Sequence, residues 1–209
     1  AASRNLKQLE DFIVSRKIEK KVELKHFDAV SFDTHQAFYD ELKTKPSIIL
    51  YAAGFLVDNE KALLDWAGAY QMMNVHYAGA VSIVNIITTD TANTNLKQII
   101  GLSSLSGVRG RKSNFIYGST KSAFTQYLAG MKQYLMPRKI KVNVIVAGYI
   151  RSKMTAGLEL KESLMLEPEF IAEAVINAKN KLIIVPGFKW KIIYMILKML
   201  PESLVAKLP

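Results

Sequence analysis

Short apolar, β-rich runs alternate with helical stretches along almost the whole chain. The β-rich runs end near Gly, Ser or Asp, which is typical of strands that lead into turns; they span residues 20–30, 47–54, 97–104, 140–148 and 181–187. Helical periodicity fills the intervals at 3–15, 33–44, 60–89, 114–136 and 168–179. Apolar strands separated by helices predict an α/β fold with a doubly wound parallel sheet that is covered on both faces.

In a sheet of this kind, ligands bind beyond the carboxyl ends of the strands. The residues that follow the predicted strands therefore carry most of the functional information. Ala52-Ala53-Gly54 closes one strand, Ser104 closes the next, and residues 147–154 follow another. Tyr117 and Lys121 lie on the helix after Ser104 and, being four residues apart, share one face of that helix.

The Tyr-x-x-x-Lys spacing alone does not single out a site, because it occurs four times; the other pairs are Tyr39/Lys43, Tyr149/Lys153 and Tyr194/Lys198. Only Tyr117 follows a strand-end serine onto the next helix. A free tyrosine has a pKa of about 10, and a nearby ammonium favours its phenolate. Ser104 supplies a hydroxyl that can hold a carbonyl oxygen. We predict that Ser104, Tyr117 and Lys121 form the acid/base site of a ketone reductase.

Composition narrows the remaining classes of function. The chain has no Cys, and its three His, at 26, 35 and 76, lack metal-ligand spacing, so we expect no disulfide, no thiolate chemistry and no metal site. The net charge of +10 favours anionic partners. Lys and Arg are scattered without a nucleic-acid motif, so we expect no nucleic-acid partner, while phosphate-bearing cofactors, anionic substrates and anionic lipid surfaces stay open. The absence of Cys fits a cytoplasmic protein.

Together these residues resemble the short-chain dehydrogenase/reductase family over nearly all of the chain. Tyr117 and Lys121 match the family's Tyr-x-x-x-Lys, Ser104 its catalytic serine and Asn74 its helix asparagine. The resemblance implies a Rossmann-like homo-oligomer that transfers a hydride between NAD(P)H and a ketone or secondary alcohol. It also implies that Tyr117 is the general acid/base, that Lys121 binds the nicotinamide ribose and lowers the pKa of Tyr117, that Ser104 holds the carbonyl, and that Asn74 anchors a water-linked proton relay.

Further matches lie at the expected cofactor site. Ala52-Ala53-Gly54 matches the family's Asn-Ala-Gly turn, and residues 147–154 match Pro-Gly-x-x-x-Thr-x-Met with Ala and Ser in place of Pro and Thr. Arg4 lies where the family reads the adenosine ribose, and an arginine there favours NADP(H) over NAD(H) because it pairs with a 2′-phosphate. The implied cofactor contacts are Arg4, Asp28, Ala52, Ala53, Gly54, Tyr117, Lys121, Gly148, Ile150 and Ser152.

One family motif, the Gly-rich turn Thr-Gly-x-x-x-Gly-x-Gly, is missing from the sequence. Residue 1 matches a position near the end of the family's second strand. We therefore expect about 35 further residues upstream, the size of a βαβ unit's leading part, and a sheet that lacks its first strand, Gly-rich turn and first helix. On this interpretation, residues 1–187 are an incomplete dinucleotide-binding and catalytic domain, and residues 188–209 are an apolar, basic extension packed on the domain, on a dimer partner or on a membrane surface.

Three segments, at 111–121, 147–158 and 188–209, resemble the decaprenylphosphoryl-2-keto-erythro-pentose reductases, which reduce a keto-sugar attached to a polyprenyl phosphate. The resemblance implies a lipid-linked ketone substrate and peripheral contact with the inner face of the cytoplasmic membrane. Arg109, Arg111 and Lys112 crowd the loop before Tyr117, where they would attract a lipid-linked phosphate. Two alternatives stay open: a reductase of another carbonyl compound, such as a 3-oxoacyl group or small ketone, and a catalytically silent interaction domain on the same fold.

Overall fold

The computed structural model describes residues 1–207 and has an alternating order of strands and helices. The strands are β1 (Ala2–Ser3), β2 (Lys25–His26), β3 (Ile48–Tyr51), β4 (Gln98–Ser104), β5 (Lys141–Ala147) and β6 (Ile183–Ile184). The α-helices are α1 (Leu6–Ser15), α2 (His35–Asp40), α3 (Asn59–Leu64), α4 (Trp66–Met73), α5 (Gly79–Thr89), α6 (Phe115–Tyr134), α7 (Pro168–Ile176), α8 (Phe188–Met199) and α9 (Glu202–Val205). All five predicted strands and all five predicted helical stretches contain elements of the expected type.

The strands form two parallel sheets. β1 pairs with β2, and the larger sheet has the order β3-β4-β5-β6. In its register, Tyr51 lies opposite Gly101 and Ser104 lies opposite Ala147. Because neighbouring strands run in the same direction, their carboxyl ends share one edge, as the predicted parallel α/β fold requires. Within residues 1–207 no hydrogen-bonded ladder joins β1 to β3, which is the position where the resemblance implied an absent first strand.

Helices cover both faces of the larger sheet. On one face, α5 and α6 pack against β4 and β5 in the main core, whose buried members include Val84, Ile99, Phe124, Leu128 and Val144. On the other face, Ile171 of α7 packs against Ile100 and Ile145. Burying each of these side chains contributes about 1.5–3 kcal/mol, and together they fix α6 against the sheet.

Glycine at position 101 lets α6 lie close to β4. A Cβ atom there would lie 2.3 Å from the Leu128 side chain and 2.6 Å from that of Phe124. At the other end of the contact, a Cβ on Gly118 would lie 2.5 Å from the backbone oxygen of Ser106. These close approaches hold the start of α6, where Tyr117 and Lys121 lie, beside the end of β4.

The predicted continuous helix over 60–89 is wrong in one respect, because the structure divides it. Asp65 has an extended backbone and its side chain accepts a hydrogen bond from the Ala67 N–H, so α3 ends and α4 begins at this residue. A π-helical segment, Asn74–Ala78, then separates α4 from α5. The hydroxyl of Tyr51 donates to the Val75 carbonyl at 2.5 Å within this segment. π-helical turns are rare and often lie at functional sites.

The extension after residue 187 forms α8 and α9 and contacts the rest of the domain through Trp190. This side chain is 5% exposed and its Nε1–H donates to the Leu164 carbonyl at 2.9 Å. The indole ring of Trp190 therefore belongs to the core. Residues 208–209 of the extension lie outside the described residues.

Among residues 1–207, no helix combines the length and the apolar character that crossing a bilayer requires.

Candidate active site

Ser104 lies at the carboxyl end of β4 and begins the short 3-10 turn Leu105–Gly107. Its Oγ accepts a hydrogen bond from the Ser106 N–H at 3.2 Å. The adjacent Ser103 faces away into the structure: it is buried, and its hydroxyl bonds to the Lys121 carbonyl and the Thr125 hydroxyl. Of the two serines, Ser104 is thus the one whose hydroxyl is oriented towards Tyr117, with which it interacts.

Tyr117 and Lys121 lie one turn apart near the start of α6. Lys121 is 5% exposed, and its Nζ donates to the Leu102 carbonyl at 3.2 Å. The same nitrogen lies 5.8 Å from the centre of the Tyr117 ring. An ammonium has three donors, and the Leu102 carbonyl is the partner of one of them. The buried end of Lys121 therefore retains donors for a polar ligand such as a ribose hydroxyl.

Burial dominates the electrostatics of both side chains. It raises the pKa of Tyr117 above its usual value, while the side-chain hydrogen bond with Ser104 acts in the opposite direction. It lowers the pKa of Lys121 to about 8, because the ammonium is desolvated. In this geometry the hydrogen bond with Ser104 is the interaction that lowers the pKa of Tyr117 against the effect of burial. The Lys121 ammonium lies 5.8 Å from the centre of the Tyr117 ring, and its predicted effect on the pKa of Tyr117 stays a prediction.

The residue that sequence reasoning missed is His76, in the π-helical segment. Its ring is fully buried and lies edge-on to the Tyr117 ring, with 5.3 Å between the centroids. Its Nδ1 lies 2.8 Å from the Thr120 hydroxyl oxygen, and its Nε2 accepts from the Phe55 N–H at 3.0 Å. Burial and the nearby charge of Lys121 lower the pKa of His76 to about 3, so the imidazole is neutral at physiological pH.

Asn74, the predicted relay residue, lies two positions before His76 and is half-buried. Its backbone carbonyl accepts the π-helical hydrogen bond of the Gly79 N–H. Its side chain makes no hydrogen bond to any part of the chain that the structure describes. The structure thus brings His76 into contact with the Tyr117 ring and hydrogen-bonds it to Thr120 of the same helix.

The turn Ala52-Ala53-Gly54 follows β3 and lies at the same edge of the sheet. A Cβ on Gly54 would lie 3.3 Å from both the His76 ring and the Lys121 Nζ. The backbone of the turn therefore lies close to His76 and Lys121, which is the placement that the resemblance implies for a turn at the nicotinamide end of a dinucleotide.

Two predicted contacts for the adenosine end follow the strands of the smaller sheet. Arg4 is exposed directly after β1, and Asp28 comes two residues after β2. The Asp28 carboxylate accepts from the Val30 N–H at 3.1 Å, so part of its hydrogen-bonding capacity stabilises a local turn. Both residues lie at the carboxyl ends of strands, where the resemblance implies them.

The loop after β5 carries Gly148, Ile150 and Ser152. Gly148 packs on Trp190, since a Cβ at this position would lie 2.0 Å from the indole ring. Ile150 makes an isolated parallel bridge with Leu166, and Ser152 is exposed. The structure assigns Gly148 a packing role that the sequence did not indicate, beside the predicted cofactor role.

The three predicted phosphate-binding residues have different surroundings. Arg109 pairs with Glu202 of α9 at 3.2 Å, and Lys112 is exposed. The Nε atoms of Arg109 and Arg111 are buried without a hydrogen-bond partner. A groove of about 840 Å³ between α4 and α6 includes Arg109, Phe115 and Ser119 in its lining but not Tyr117. Arg109 thus ties the loop to the C-terminal segment as well as facing this groove.

The other Tyr-x-x-x-Lys pairs lie away from the site. Tyr39 is buried and donates to the Asp90 carboxylate at 2.7 Å. Burial and, to a smaller extent, this hydrogen bond raise the pKa of Tyr39 to about 12. Tyr149 packs edge-on against Trp190, and Tyr194 lies beneath Lys198 on α8. Within residues 1–207, no three His, Asp or Glu side chains are grouped so that they would hold a metal ion.

Comparisons with known proteins agree with this fold. The short chain dehydrogenase family matches residues 1–163. An uncharacterized oxidoreductase of Mycobacterium tuberculosis H37Rv is 23% identical over 215 residues, covering 100% of this chain and 86% of the relative. A short chain dehydrogenase from Burkholderia cenocepacia, solved in complex with NADP, has a TM-score of 0.81 at 18% identity, covering 98% of this chain and 83% of its own. An alcohol dehydrogenase from Thermococcus sibiricus, complexed with 5-hydroxy-NADP, has a TM-score of 0.70 at 16% identity, covering 88% and 83%.

Proposed function

This chain belongs to the short-chain dehydrogenase/reductase family, and on that premise we propose that it reduces a ketone to a secondary alcohol with Tyr117 as the proton donor. The observation that supports the proposal is the convergence of Ser104, Tyr117 and Lys121 from β4 and α6 at the carboxyl edge of a parallel sheet. Ligands bind at this edge in open α/β sheets. The other tyrosines with the same spacing lack such neighbours.

The residues at this edge fit the nicotinamide end of a dinucleotide. Lys121 offers a buried ammonium with free donors, and Gly54 brings the backbone close to that ammonium. When bound, NAD(P)H supplies the hydride. The residues that would hold the pyrophosphate are not matched in the same way, since residues 1–209 contain no Thr-Gly-x-x-x-Gly-x-Gly turn. Arg4, exposed after β1, favours NADP(H) over NAD(H), and the solved relatives that contain NADP-type ligands support this preference.

The chemistry of the chain's own residues is a proton transfer. Tyr117 O–H gives its proton to the carbonyl oxygen of the substrate as negative charge develops there. The Ser104 hydroxyl donates to the same oxygen and thereby orients the ketone. With the Ser104 proton bonded to the substrate oxygen, the phenolate left on Tyr117 is stabilised by the Lys121 ammonium, whose charge is effective because the surroundings exclude water. Asn74 keeps its predicted relay role only if water reaches Tyr117 along the π-helical segment.

For the substrate, we propose a ketone that carries a lipid-linked phosphate. The buried, unpaired Nε atoms of Arg109 and Arg111 support an anionic ligand near the loop before α6. The competing substrate class is an uncharged ketone or a 3-oxoacyl group. Oxidation of NADPH by the full-length enzyme, followed spectrophotometrically with both classes, tests the proposal. Turnover only of the phosphate-free class would contradict the lipid-phosphate assignment and leave the reductase assignment intact.

For location, we propose peripheral contact between α8 and an anionic membrane surface from the cytoplasmic side. Phe188, Met195 and Met199 are 77%, 56% and 79% exposed, so one side of α8 presents a continuous apolar strip. Lys189, Lys191 and Lys198 lie on the same helix, and basic amphipathic helices bind anionic lipid. Co-sedimentation with vesicles containing phosphatidylglycerol, compared with pure phosphatidylcholine vesicles, would measure this contact. Equal binding of Met195→Glu and wild-type protein would contradict it.

For assembly, we propose that a second copy covers the end of α3, the outer face of α4 and the start of α6. The apolar side chains exposed there include Leu64, Trp66, Tyr70 and Phe115, which are 91%, 67%, 53% and 43% exposed. Exposed apolar patches of this kind mark association surfaces. Sedimentation equilibrium of wild type and Trp66→Glu tests the assignment: a monomeric wild type would contradict it.

A further inference from the structure

The hydrogen bonds around His76 define which ring nitrogen carries the proton. Thr120 has a single hydroxyl proton, which it donates to the Tyr117 carbonyl at 2.7 Å. The 2.8 Å contact between Nδ1 and the Thr120 oxygen therefore requires a proton on Nδ1. On the other side, Nε2 faces the Phe55 N–H at 3.0 Å and must be unprotonated to accept it. Both bonds together are satisfied only by neutral imidazole with its proton on Nδ1.

His35, the other fully buried histidine, has the opposite arrangement. Its Nε2 lies 2.9 Å from the Asp28 carbonyl, so Nε2 must carry the proton, and its Nδ1 accepts from the Ser82 hydroxyl at 2.8 Å. His35 holds the turn after β2 against α5 and does not contact Tyr117 or Lys121. The chain thus contains a matched pair of buried imidazoles that differ in tautomer and in position relative to the site.

The bonds of His76 connect three parts of the site. Phe55 directly follows the turn Ala52-Ala53-Gly54, Thr120 lies on α6 between Tyr117 and Lys121, and the imidazole edge contacts the Tyr117 ring. Movement of the imidazole would therefore shift the turn relative to α6. It would also remove the packing that holds the Tyr117 ring.

We propose that His76 is a positioning residue for the reductase reaction: a neutral imidazole, protonated at Nδ1, that fixes the turn after β3 against Tyr117 and Lys121. The proposal rests on the proposed function for its catalytic part, whereas the tautomer follows from the hydrogen bonds alone. Its charge state suits the role, because a protonated ring would lose the Phe55 bond and would repel the buried ammonium of Lys121. His76 does not take up the substrate proton.

Nitrogen-15 NMR of histidine-labelled full-length protein tests the tautomer without reference to activity. The chain has three histidines, and His76→Gln and His35→Gln spectra assign the two buried ones. We expect the Nε2–H form for His35 and the Nδ1–H form for His76, with the His76 form unchanged between pH 5 and 8. An Nε2–H form of His76, or its protonation in this range, would overturn the proposal.

Steady-state kinetics tests the positioning role. Thr120→Val leaves the Nδ1–H without an acceptor, and an unpaired buried donor is costly, so kcat should fall about ten-fold with little change in KM. Thr120→Ser keeps the hydroxyl and should retain most of the wild-type kcat. Thr88→Val is the control, because Thr88 is equally buried and its hydroxyl bonds only to backbone carbonyls of α5.

The kinetic outcomes separate positioning from general destabilisation. Loss of kcat in Thr120→Val but not in Thr88→Val or Thr120→Ser supports the proposal. Equal kcat losses in Thr120→Val and Thr88→Val, at equal loss of melting temperature, would overturn it, as would wild-type kcat in Thr120→Val. If the wild type reduces no ketone, the proposed function fails, and the NMR result still decides the state of His76.

Discussion

The ammonium nitrogen of Lys121 lies 5.8 Å from the centre of the Tyr117 ring and donates to the Leu102 carbonyl rather than to the phenolic oxygen. Burial lowers the pKa of this ammonium to about 8 and raises the pKa of Tyr117. Keeping the Lys121 ammonium charged in this buried place therefore costs free energy. The ammonium lies close to Tyr117, whose phenolate it would stabilise. A titratable charge next to the proposed acid makes the reaction sensitive to pH.

Ketone reduction should decline as pH rises through about 8. Below that pH Lys121 is protonated in the free enzyme, and above it the ammonium charge is lost. The pH dependence of kcat/KM reports ionisations of the free enzyme, so its profile should bend downward near pH 8. A profile that stays flat to pH 10 would contradict the role given to the Lys121 charge.

Wild-type stability should rise relative to that of Lys121→Met between about pH 8 and 10.5. The folded-state pKa is lowered from 10.5 to about 8, so in this interval the unfolded chain binds more protons than the folded one. The difference in unfolding free energy should change by up to about 1.4 kcal/mol per pH unit. Urea unfolding of both proteins measures it, and a difference that is constant with pH would show that Lys121 is not desolvated.

Ser104→Ala should lower kcat by about a hundred-fold, the usual effect of losing a hydrogen-bond donor to a developing oxyanion. Because Ser104 favours the phenolate, the same change should also move the pKa of Tyr117 further upward. Ser103→Ala is the matched control: it removes bonds to Lys121 O and Thr125 and should cost about 1 kcal/mol of stability with most of kcat retained. Comparable kcat losses in the two variants would mean that Ser104 has no special role.

Gly148→Ala should destabilise the domain by several kcal/mol, since a Cβ would overlap the Trp190 ring at 2.0 Å. Trp190 fluorescence should shift to longer wavelength as the ring becomes more exposed. Gly130→Ala, on α6, meets no atom within 4 Å and should stabilise by about 0.5–1 kcal/mol, as expected for Ala over Gly in a helix. Equal stabilities of the two variants would contradict the packing assigned to Gly148.

The strands and the three site residues were predictable from the sequence because both depend on local pattern. Apolar runs that end in Gly or Ser define strands that share one edge of a parallel sheet. The serine at the end of one strand and the Tyr-x-x-x-Lys pair on the next helix are then brought together by topology alone. The same reasoning correctly set aside Tyr39, which the structure places in a buried contact with Asp90.

His76 was not predictable, because a π-helical segment leaves almost no trace in a 3.6-residue pattern. The family resemblance directed attention to Asn74, and the π turn brings the residue two positions later against Tyr117. The only sequence signal was a polar aromatic residue within an otherwise apolar stretch. The contacts of Trp190 and Arg109 were not predictable for a related reason, since their partners Leu164 and Glu202 lie far away in sequence.

The central claim, that Tyr117 gives the proton to the ketone, is tested most directly by Tyr117→Phe in the full-length enzyme. The change keeps the ring and its packing against His76 and removes only the hydroxyl. General acid catalysis contributes about a hundred- to ten-thousand-fold, so kcat should fall at least a hundred-fold while cofactor affinity, measured by fluorescence titration, stays nearly unchanged. Tyr194→Phe, with the same spacing to Lys198, should keep wild-type kcat. If Tyr117→Phe retains more than about a tenth of wild-type turnover, which a non-essential contact would explain, the proton comes from another group and the assignment of the site is wrong.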